Sequence, residues 1–199
     1  MAAYRRLHKN ALPKDTIELA KALIGRVLVH DQDGSRVAGR IVETEAYVLQ
    51  DPASHAYGGQ SARNASMFLA PFHAYIYKIY GTSFCFNVTS EAETKGAAVL
   101  VRALEPLEGI DTMIRRRRTT SLRDLCRGPG RLCQALDLDR RYDGVDLIRG
   151  SELWLAEGSY AEGRVRKSRR IGITKAAHRH LRFYEPGNAF VSGPRHMLR

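Results

Sequence analysis

Two carboxylates and an aromatic ring lie close together in the stretch 41–48. Glu43, Glu45 and Tyr47 alternate there with apolar and β-branched residues, a pattern typical of a strand, so the three side chains are expected on one strand face. An ionised carboxylate in such a position can take a proton from water or stabilise a developing positive charge. From the residues alone, a salt bridge is the commoner role of a strand carboxylate. Catalysis and a salt bridge therefore both remain open for Glu45.

A second aromatic cluster follows at residues 75–81. Tyr75 and Tyr77 should share one face of a strand, with Tyr75 either in the core or in a pocket wall. Tyr80 is displaced to the end of that strand, beside Gly81, which can turn the backbone. Together with the first stretch, this cluster predicts a pocket that holds a flat ring.

The elements that position these residues can be read from periodicity and turn signals. Apolar residues at helical spacing predict a helix over 16–25 that ends at Gly25. The β-rich stretches 26–30 and 35–47 flank the turn-forming residues 31–34 and predict an antiparallel hairpin. The two carboxylates therefore belong to its second strand.

Further along, residues 49–71 are rich in glycine, serine, alanine and asparagine, which indicates a partly helical loop. Residues 74–88 and 97–103 are β-rich and are separated by a polar stretch, 89–96, that is typical of a hairpin loop. These patterns predict a largely antiparallel sheet.

The second half of the sequence predicts two more helices and a late strand. One helix should start near Ile110 and run into Arg115–Arg118, where four consecutive arginines suit either a solvated helix end or contact with phosphate. Residues 126–136 are typical of a glycine-rich turn that enters a short helix, and its amides could face a phosphate. Trp154 and its neighbours indicate the strand.

Composition limits the class of protein. A chain of 199 residues with 44% hydrophobic content can bury one core, so we expect a single domain over residues 1–199. The formal charge of +11 favours phosphate backbones or anionic membranes as partners. No apolar run approaches a membrane span and residues 1–10 lack the apolar core of a signal peptide, so a cytoplasmic location is expected. Cys85, Cys126 and Cys133 are an odd set without close-paired spacing, which predicts reduced, mostly buried thiols.

Several spaced motifs, in the same order and over nearly the whole chain, resemble the alkyladenine (3-methyladenine) DNA glycosylase family. They are Glu43-Thr44-Glu45-Ala46-Tyr47, His55, Arg63-Asn64, Tyr75-Ile76-Tyr77, Tyr80-Gly81, Asn87, Arg102-Ala103-Leu104-Glu105-Pro106, 128–136, Arg170-Ile171-Gly172-Ile173 and Leu181-Arg182-Phe183-Tyr184. The resemblance implies an α+β fold, a single mixed domain around a curved, largely antiparallel sheet with flanking helices. It also implies excision of damaged purines that are flipped out of the duplex.

The resemblance implies a role for each residue of the reaction centre. Glu45 is expected to activate a water for attack on the sugar C1′, and Arg102 to help hold that water, whereas Glu43 keeps a structural role. Tyr47 on one side, with His55 and Tyr77 on the other, is expected to enclose the extruded base.

Other residues are expected to select the base and to hold the DNA. By resemblance, Asn87 excludes the exocyclic amine of guanine, and Tyr80 fills the gap that the flipped nucleotide leaves. From the positive charge, we expect Arg63, Arg131 and Arg170 to contact the DNA backbone.

These expectations define a monofunctional glycosylase of base-excision repair that acts on alkylated or deaminated purines in double-stranded DNA. It would act as a monomer, on the nucleoid of a bacterial-type cell, without cofactor, metal or membrane. A basic sheet with aromatic residues could instead bind RNA or structured nucleic acid without chemistry, although such a module gains nothing from Glu45. A metal hydrolase that uses Glu43, Glu45 and His55 ranks last, because the ligand set is unconvincing.

Overall fold

The computed structural model describes residues 3–32, 34–79, 81–158 and 165–193. These residues form a mixed α+β domain around a strongly curled antiparallel sheet, which confirms the expected fold class. The helices are α1 (Thr16–Ala22), α2 (Ile110–Arg117) and α3 (Pro129–Leu136). The strands are β1 (Val27–Gln32), β2 (Ser35–Tyr47), β3 (Ala74–Lys78), β4 (Phe84–Thr89), β5 (Ala98–Glu108), β6 (Leu153–Ala156), β7 (Arg166–Ser168) and β8 (Arg182–Tyr184). No helix in the described part of the chain is long and apolar enough to cross a membrane.

The 13-residue strand β2 lies at the centre of the sheet, whose order is β3-β4-β5-β2-β1-β6. One edge of β2 pairs with β5, and its other edge pairs first with β1 and then, at residues 43–45, with β8. Register shifts with β5 fall at Ala38/Gly39 and between Ile41 and Thr44, and such irregularities bend a strand. Residues 43–45 have strands on both sides, and the side chains of Glu43 and Glu45 are fully buried.

The predicted first helix and first hairpin are both present. The Asp15 carboxylate caps α1 by accepting hydrogen bonds from the amides of Ile17 and Glu18. The helix ends at Ala22, and Gly25 follows with a left-handed φ of 85°. The hairpin of β1 and β2 has the expected antiparallel register.

The later hairpin predicted across 89–96 is also present, with β4 paired to β5. The stretch 74–88, which was expected to be one β-rich segment, contains two strands, β3 and β4, that pair antiparallel with each other. Strand β5 continues to Glu108, beyond the predicted end at 103. It stops at Gly109, whose φ is 73° and where a Cβ would lie 2.4 Å from the backbone oxygen of Arg36.

Helices α2 and α3 pack against each other, and α3 covers β4 and β5. Arg116 donates to the Ala135 carbonyl, Arg117 donates to the Leu125 carbonyl, and Arg115 donates to the Thr112 hydroxyl on its own helix. Arg115 and Arg118 are exposed. The three cysteines are free and buried, as predicted.

Candidate active site

A cleft of about 600 Å³ opens beside the central strand β2. Its walls come from β2, β3, β4, β5 and two loops, 53–67 and 171–173. Six of the residues predicted for function line it: Tyr47, His55, Arg63, Tyr77, Asn87 and Arg102. The sheet therefore collects side chains that lie up to 55 positions apart in the sequence.

Glu45 lies directly behind the wall of this cleft. Its Oε1 accepts a hydrogen bond from the Ile171 amide at 2.8 Å and forms an ion pair with Arg102 Nη1 at 3.3 Å. Its Oε2 accepts a hydrogen bond from the Tyr47 hydroxyl at 3.1 Å. All three donors belong to residues that line the cleft, so the carboxylate is one side chain away from anything bound there.

Glu43 is fully buried and is held by arginines, in agreement with its predicted structural role. Its Oε1 accepts from Arg182 Nε at 2.6 Å and from Arg102 Nε at 3.2 Å. Its Oε2 accepts from the Ser192 amide at 2.7 Å. Arg102 thus bridges both glutamates, and its position is fixed from the side away from the cleft.

The charges of this cluster oppose one another. Burial raises the pKa of Glu45, while Arg102, the Ile171 amide and the Tyr47 hydroxyl lower it. Burial alone would lower the pKa of Arg102, but the Glu45 and Glu43 carboxylates raise it, so the guanidinium stays charged. Burial is the largest of these effects, so the pKa of Glu45 lies above its ordinary value, and the donors limit that rise.

The aromatic wall consists of Tyr77, His55 and Tyr75. The ring centroids of His55 and Tyr77 are 4.4 Å apart at 72°, an edge-to-face contact. The His55 Nδ1 atom is 2.8 Å from the Tyr75 hydroxyl. Although His55 as a residue is exposed, partial burial of its ring and the nearby Arg63 lower its pKa, which favours a neutral imidazole. Burial raises the pKa of Tyr75 to about 12, and this phenol stays protonated.

Asn87 and Arg63 line the cleft in different ways. Asn87 is buried, and its Nδ2 donates to the Tyr75 carbonyl at 2.9 Å, which fixes the amide group on β4. Arg63 is an exposed residue on the loop that also carries His55. Asn87 can therefore contact a ring inside the cleft, whereas Arg63 lies at its rim.

The expectation that Arg170 contacts the DNA backbone is wrong for this structure, because Arg170 is 3% exposed. Its guanidinium forms a two-pronged ion pair with the fully buried Asp51 and donates to the Ala46 carbonyl at 3.0 Å. Arg131 is exposed, and its Nη1 lies 2.9 Å from the Asp124 carboxylate, at a separate surface depression beside α3. Tyr80 lies outside the described residues.

Three partners of the site were not found from the sequence. Asp51 lies in the stretch 49–71 that the sequence predicts as a loop, and nothing in its neighbourhood points to residue 170. Arg182 was noted within a motif but not as the partner of Glu43. The role of the Ile171 amide cannot be predicted from a sequence, since every residue except proline has a backbone N–H group. Among the described residues, no group of three His, Cys, Asp or Glu side chains could hold a metal ion.

The sequence that builds this cleft matches the sequences of known proteins. Residues 10–189 match the family model described as methylpurine-DNA glycosylase. A "Putative 3-methyladenine DNA glycosylase" of Mesorhizobium japonicum is 54% identical over 187 residues, which cover 94% of this chain and 90% of that protein. The human "DNA-3-methyladenine glycosylase" is 41% identical over 204 aligned positions, covering 94% of this chain and 68% of the human protein.

The site and the comparisons define an enzyme class, the DNA glycosylases. The chain belongs to the methylpurine-DNA glycosylase family.

Proposed function

We propose that this protein flips alkylated purines out of double-stranded DNA and hydrolyses their N-glycosyl bond, leaving an abasic site. The observation that carries the proposal is the position of Glu45, buried behind an aromatic cleft and surrounded by three donors from the cleft wall. The net charge of +11 supports attraction to the phosphate backbone. Both relatives named above are described as 3-methyladenine glycosylases, which supports an alkylated purine as the substrate.

In the proposed reaction, Glu45 takes a proton from water as the water oxygen bonds to the sugar C1′. The bond from C1′ to the base nitrogen breaks, and its electron pair leaves with the base. Positive charge develops on the sugar, and the Glu45 carboxylate stabilises it. Oε1 already has two donors, whereas Oε2 has only the Tyr47 hydroxyl, so the second lone pair of Oε2 is the position from which Glu45 is proposed to accept the proton of the water.

Cationic purines fit this site best. Alkylation at N3 or N7 places positive charge on the base, which favours stacking on electron-rich rings and makes the base a better leaving group. The lowered pKa of His55 supports this preference, because a neutral imidazole does not repel a cation. Asn87, fixed on β4, is proposed to exclude purines with an exocyclic amine that does not fit its amide.

The direct test is base release from duplexes that each carry one lesion, followed by alkaline cleavage of the abasic product. We expect wild-type protein to release 7-methylguanine and 3-methyladenine in single turnover. Glu45→Gln should lower the rate about 10²- to 10⁴-fold and leave binding to lesion DNA intact. The matched control is Glu105→Gln, which removes a carboxylate paired with Arg40 away from the cleft and should release bases at the wild-type rate. Equal rates for wild type and Glu45→Gln would reject Glu45 as the base.

We further propose that Tyr80 fills the gap left by the flipped nucleotide. It follows β3 and precedes Gly81, whose φ of 63° turns the backbone. Tyr80→Ser should weaken flipping about tenfold, since stacking of a base on an aromatic ring contributes about 1–3 kcal/mol. The measurements are fluorescence of ethenoadenine in duplex DNA and a thermal melt. Normal flipping by a destabilised variant would instead assign Tyr80 to the core.

A further inference from the structure

Arg170 and Asp51 form an ion pair in which both side chains are fully buried. Neither residue lines the cleft, and neither contacts Glu45. Burial of two charges is costly unless they are well paired, and the two-pronged contact supplies that pairing. The pair ties three segments together, because Asp51 lies in the loop after β2, Arg170 lies in the loop between β7 and β8, and the Ala46 carbonyl on β2 accepts from Arg170.

Two of these three segments, β2 and the loop between β7 and β8, each deliver a donor to Glu45. The residue after Arg170 is Ile171, whose amide donates to Glu45 Oε1 at 2.8 Å. The Arg170 guanidinium also lies 4.6 Å from the centre of the Tyr47 ring, whose hydroxyl donates to Glu45 Oε2. Arg170 therefore supports the Tyr47 ring from outside the cleft, since Tyr47 lines the cleft and Arg170 does not.

The loop that carries Ile171 depends on such an anchor. Residues 169–181 contain no helix or strand. Gly172, which follows Ile171, has a left-handed φ of 77°, and a Cβ placed on this glycine would have no atom within 4 Å. The backbone is open on that side. At the start of this loop, the contacts of Arg170 and the Ile171 hydrogen bond tie the chain to β2. The Ser168 hydroxyl, which accepts from Arg182 Nη1 and donates to the Arg169 carbonyl, ties it to β8.

We propose that the Arg170–Asp51 pair is a positioning device that holds the Ile171 amide and the Tyr47 ring on Glu45. This inference rests on the proposed role of Glu45 as the base. Donors on a carboxylate favour its charged form, so they extend ionisation of Glu45 to lower pH. Without the anchor, protonation of the base would stop the reaction at a pH where wild type still works.

Other charged and titratable groups also face Glu45 and affect its pKa, so a test of Arg170 must leave them unchanged. Arg102 reaches it from β5, Glu43 and Tyr47 from β2, and Arg182 acts from β8 through Glu43. Cys85 faces it from β4 as a thiol whose pKa burial raises, so this group stays neutral. A substitution at residue 170 alters none of these side chains chemically, and of them only Tyr47 is in contact with Arg170.

The test is Arg170→Lys, which keeps the charge but loses the two-pronged pairing and the contact of the guanidinium with the Tyr47 ring. We expect the acidic limb of the pH profile of kcat/KM, which reports the free enzyme's base, to move up by about one pH unit. At high pH the rate should return to that of wild type. The control is Arg36→Lys, which breaks a two-pronged pair with Asp31 far from the cleft and should leave the profile unchanged.

A purely structural role would lower kcat/KM equally at every pH, and that result would overturn the proposal. If Arg170→Lys does not fold, the double variant Asp51→Asn with Arg170→Gln replaces the ion pair by a neutral pair of similar shape, and the same shift is expected.

Carbon-13 NMR titration of the Glu45 carboxyl gives a readout that does not depend on activity. Its pKa should rise in the Arg170 variant, and an unchanged value would overturn the proposal. Failure of wild type to release any base would reject the proposed function instead, and the titration would still decide the role of Arg170.

Discussion

The arginines buried beneath the cleft and the arginines on the surface are one residue type in two environments. Arg102, Arg170 and Arg182 are each less than 10% exposed, and each is paired with a carboxylate that is fully buried. Arg131 and Arg141 also have acidic partners, but their side chains are 48% and 59% exposed. The buried set fixes the geometry of the acids, whereas the surface set supplies positive charge that DNA can use.

The difference follows from the dielectric surroundings. A charge pair in water gains little, because both ions are already well solvated and salt screens them. A buried ion that loses its partner keeps the full cost of desolvation. Buried arginines should therefore control stability and chemistry, and exposed arginines should control the response to salt.

The largest expected effect is on stability. Arg182→Met removes the partner 2.6 Å from Glu43 and should lower the free energy of unfolding by about 3–5 kcal/mol. Arg141→Met, which breaks exposed pairs with Asp137 and Asp139, should lower it by less than about 1 kcal/mol. Urea denaturation of both variants measures the two changes. Similar losses in both would contradict the distinction between buried and surface arginines.

The next effect is on the reaction. Arg102→Gln leaves Glu45 with the Ile171 and Tyr47 donors but removes the cation that lowers its pKa and that is proposed to hold the water. We expect a rate of base release about 100-fold lower, comparable to the loss of one preorganised donor. Arg40→Gln, at a pair with Glu105 outside the cleft, is the control and should be near wild type. A folded Arg102→Gln protein with the wild-type rate would remove Arg102 from the reaction.

The smallest effect is on the salt dependence of binding. The logarithm of the affinity for duplex DNA should fall linearly with the logarithm of salt concentration, with a slope of about −0.9 per neutralised phosphate. Arg63→Gln and Arg131→Gln should each reduce the size of that slope by about one contact. The neutral double variant at Asp51 and Arg170 should leave it unchanged. A reduced slope in the double variant would mean that Arg170 reaches phosphate after all.

Much of the fold could be predicted from local signals. Alternation in residues 35–47, the turn residues 31–34 and the helical spacing in 16–25 each specify a local structure without help from distant residues. The end of β5 could not be predicted, because Pro106 and its neighbours remain in the strand through pairing with Gly39 on β2. Pairing with a distant strand overrides local propensity at such positions.

By itself, the sequence determined which residue types are available: an acid and a tyrosine on one strand, a tyrosine pair on another, and an excess of positive charge. Residue type and alternation are local properties, so Glu43, Glu45 and Tyr47 could be placed on one face before any tertiary contact was known.

Only the tertiary structure decided which arginines are buried. Arg63 and Arg170 have the same side chain, and the expectation treated them alike, yet one is exposed at the rim of the cleft and the other is enclosed with Asp51. Burial depends on which segments pack over a residue, and the partners of Arg170 are 119 and 124 positions away in the chain. Contacts over such distances leave no local signal in the sequence. The packing of the sheet and its loops therefore determines that Arg170 supports the active site and is not exposed to DNA.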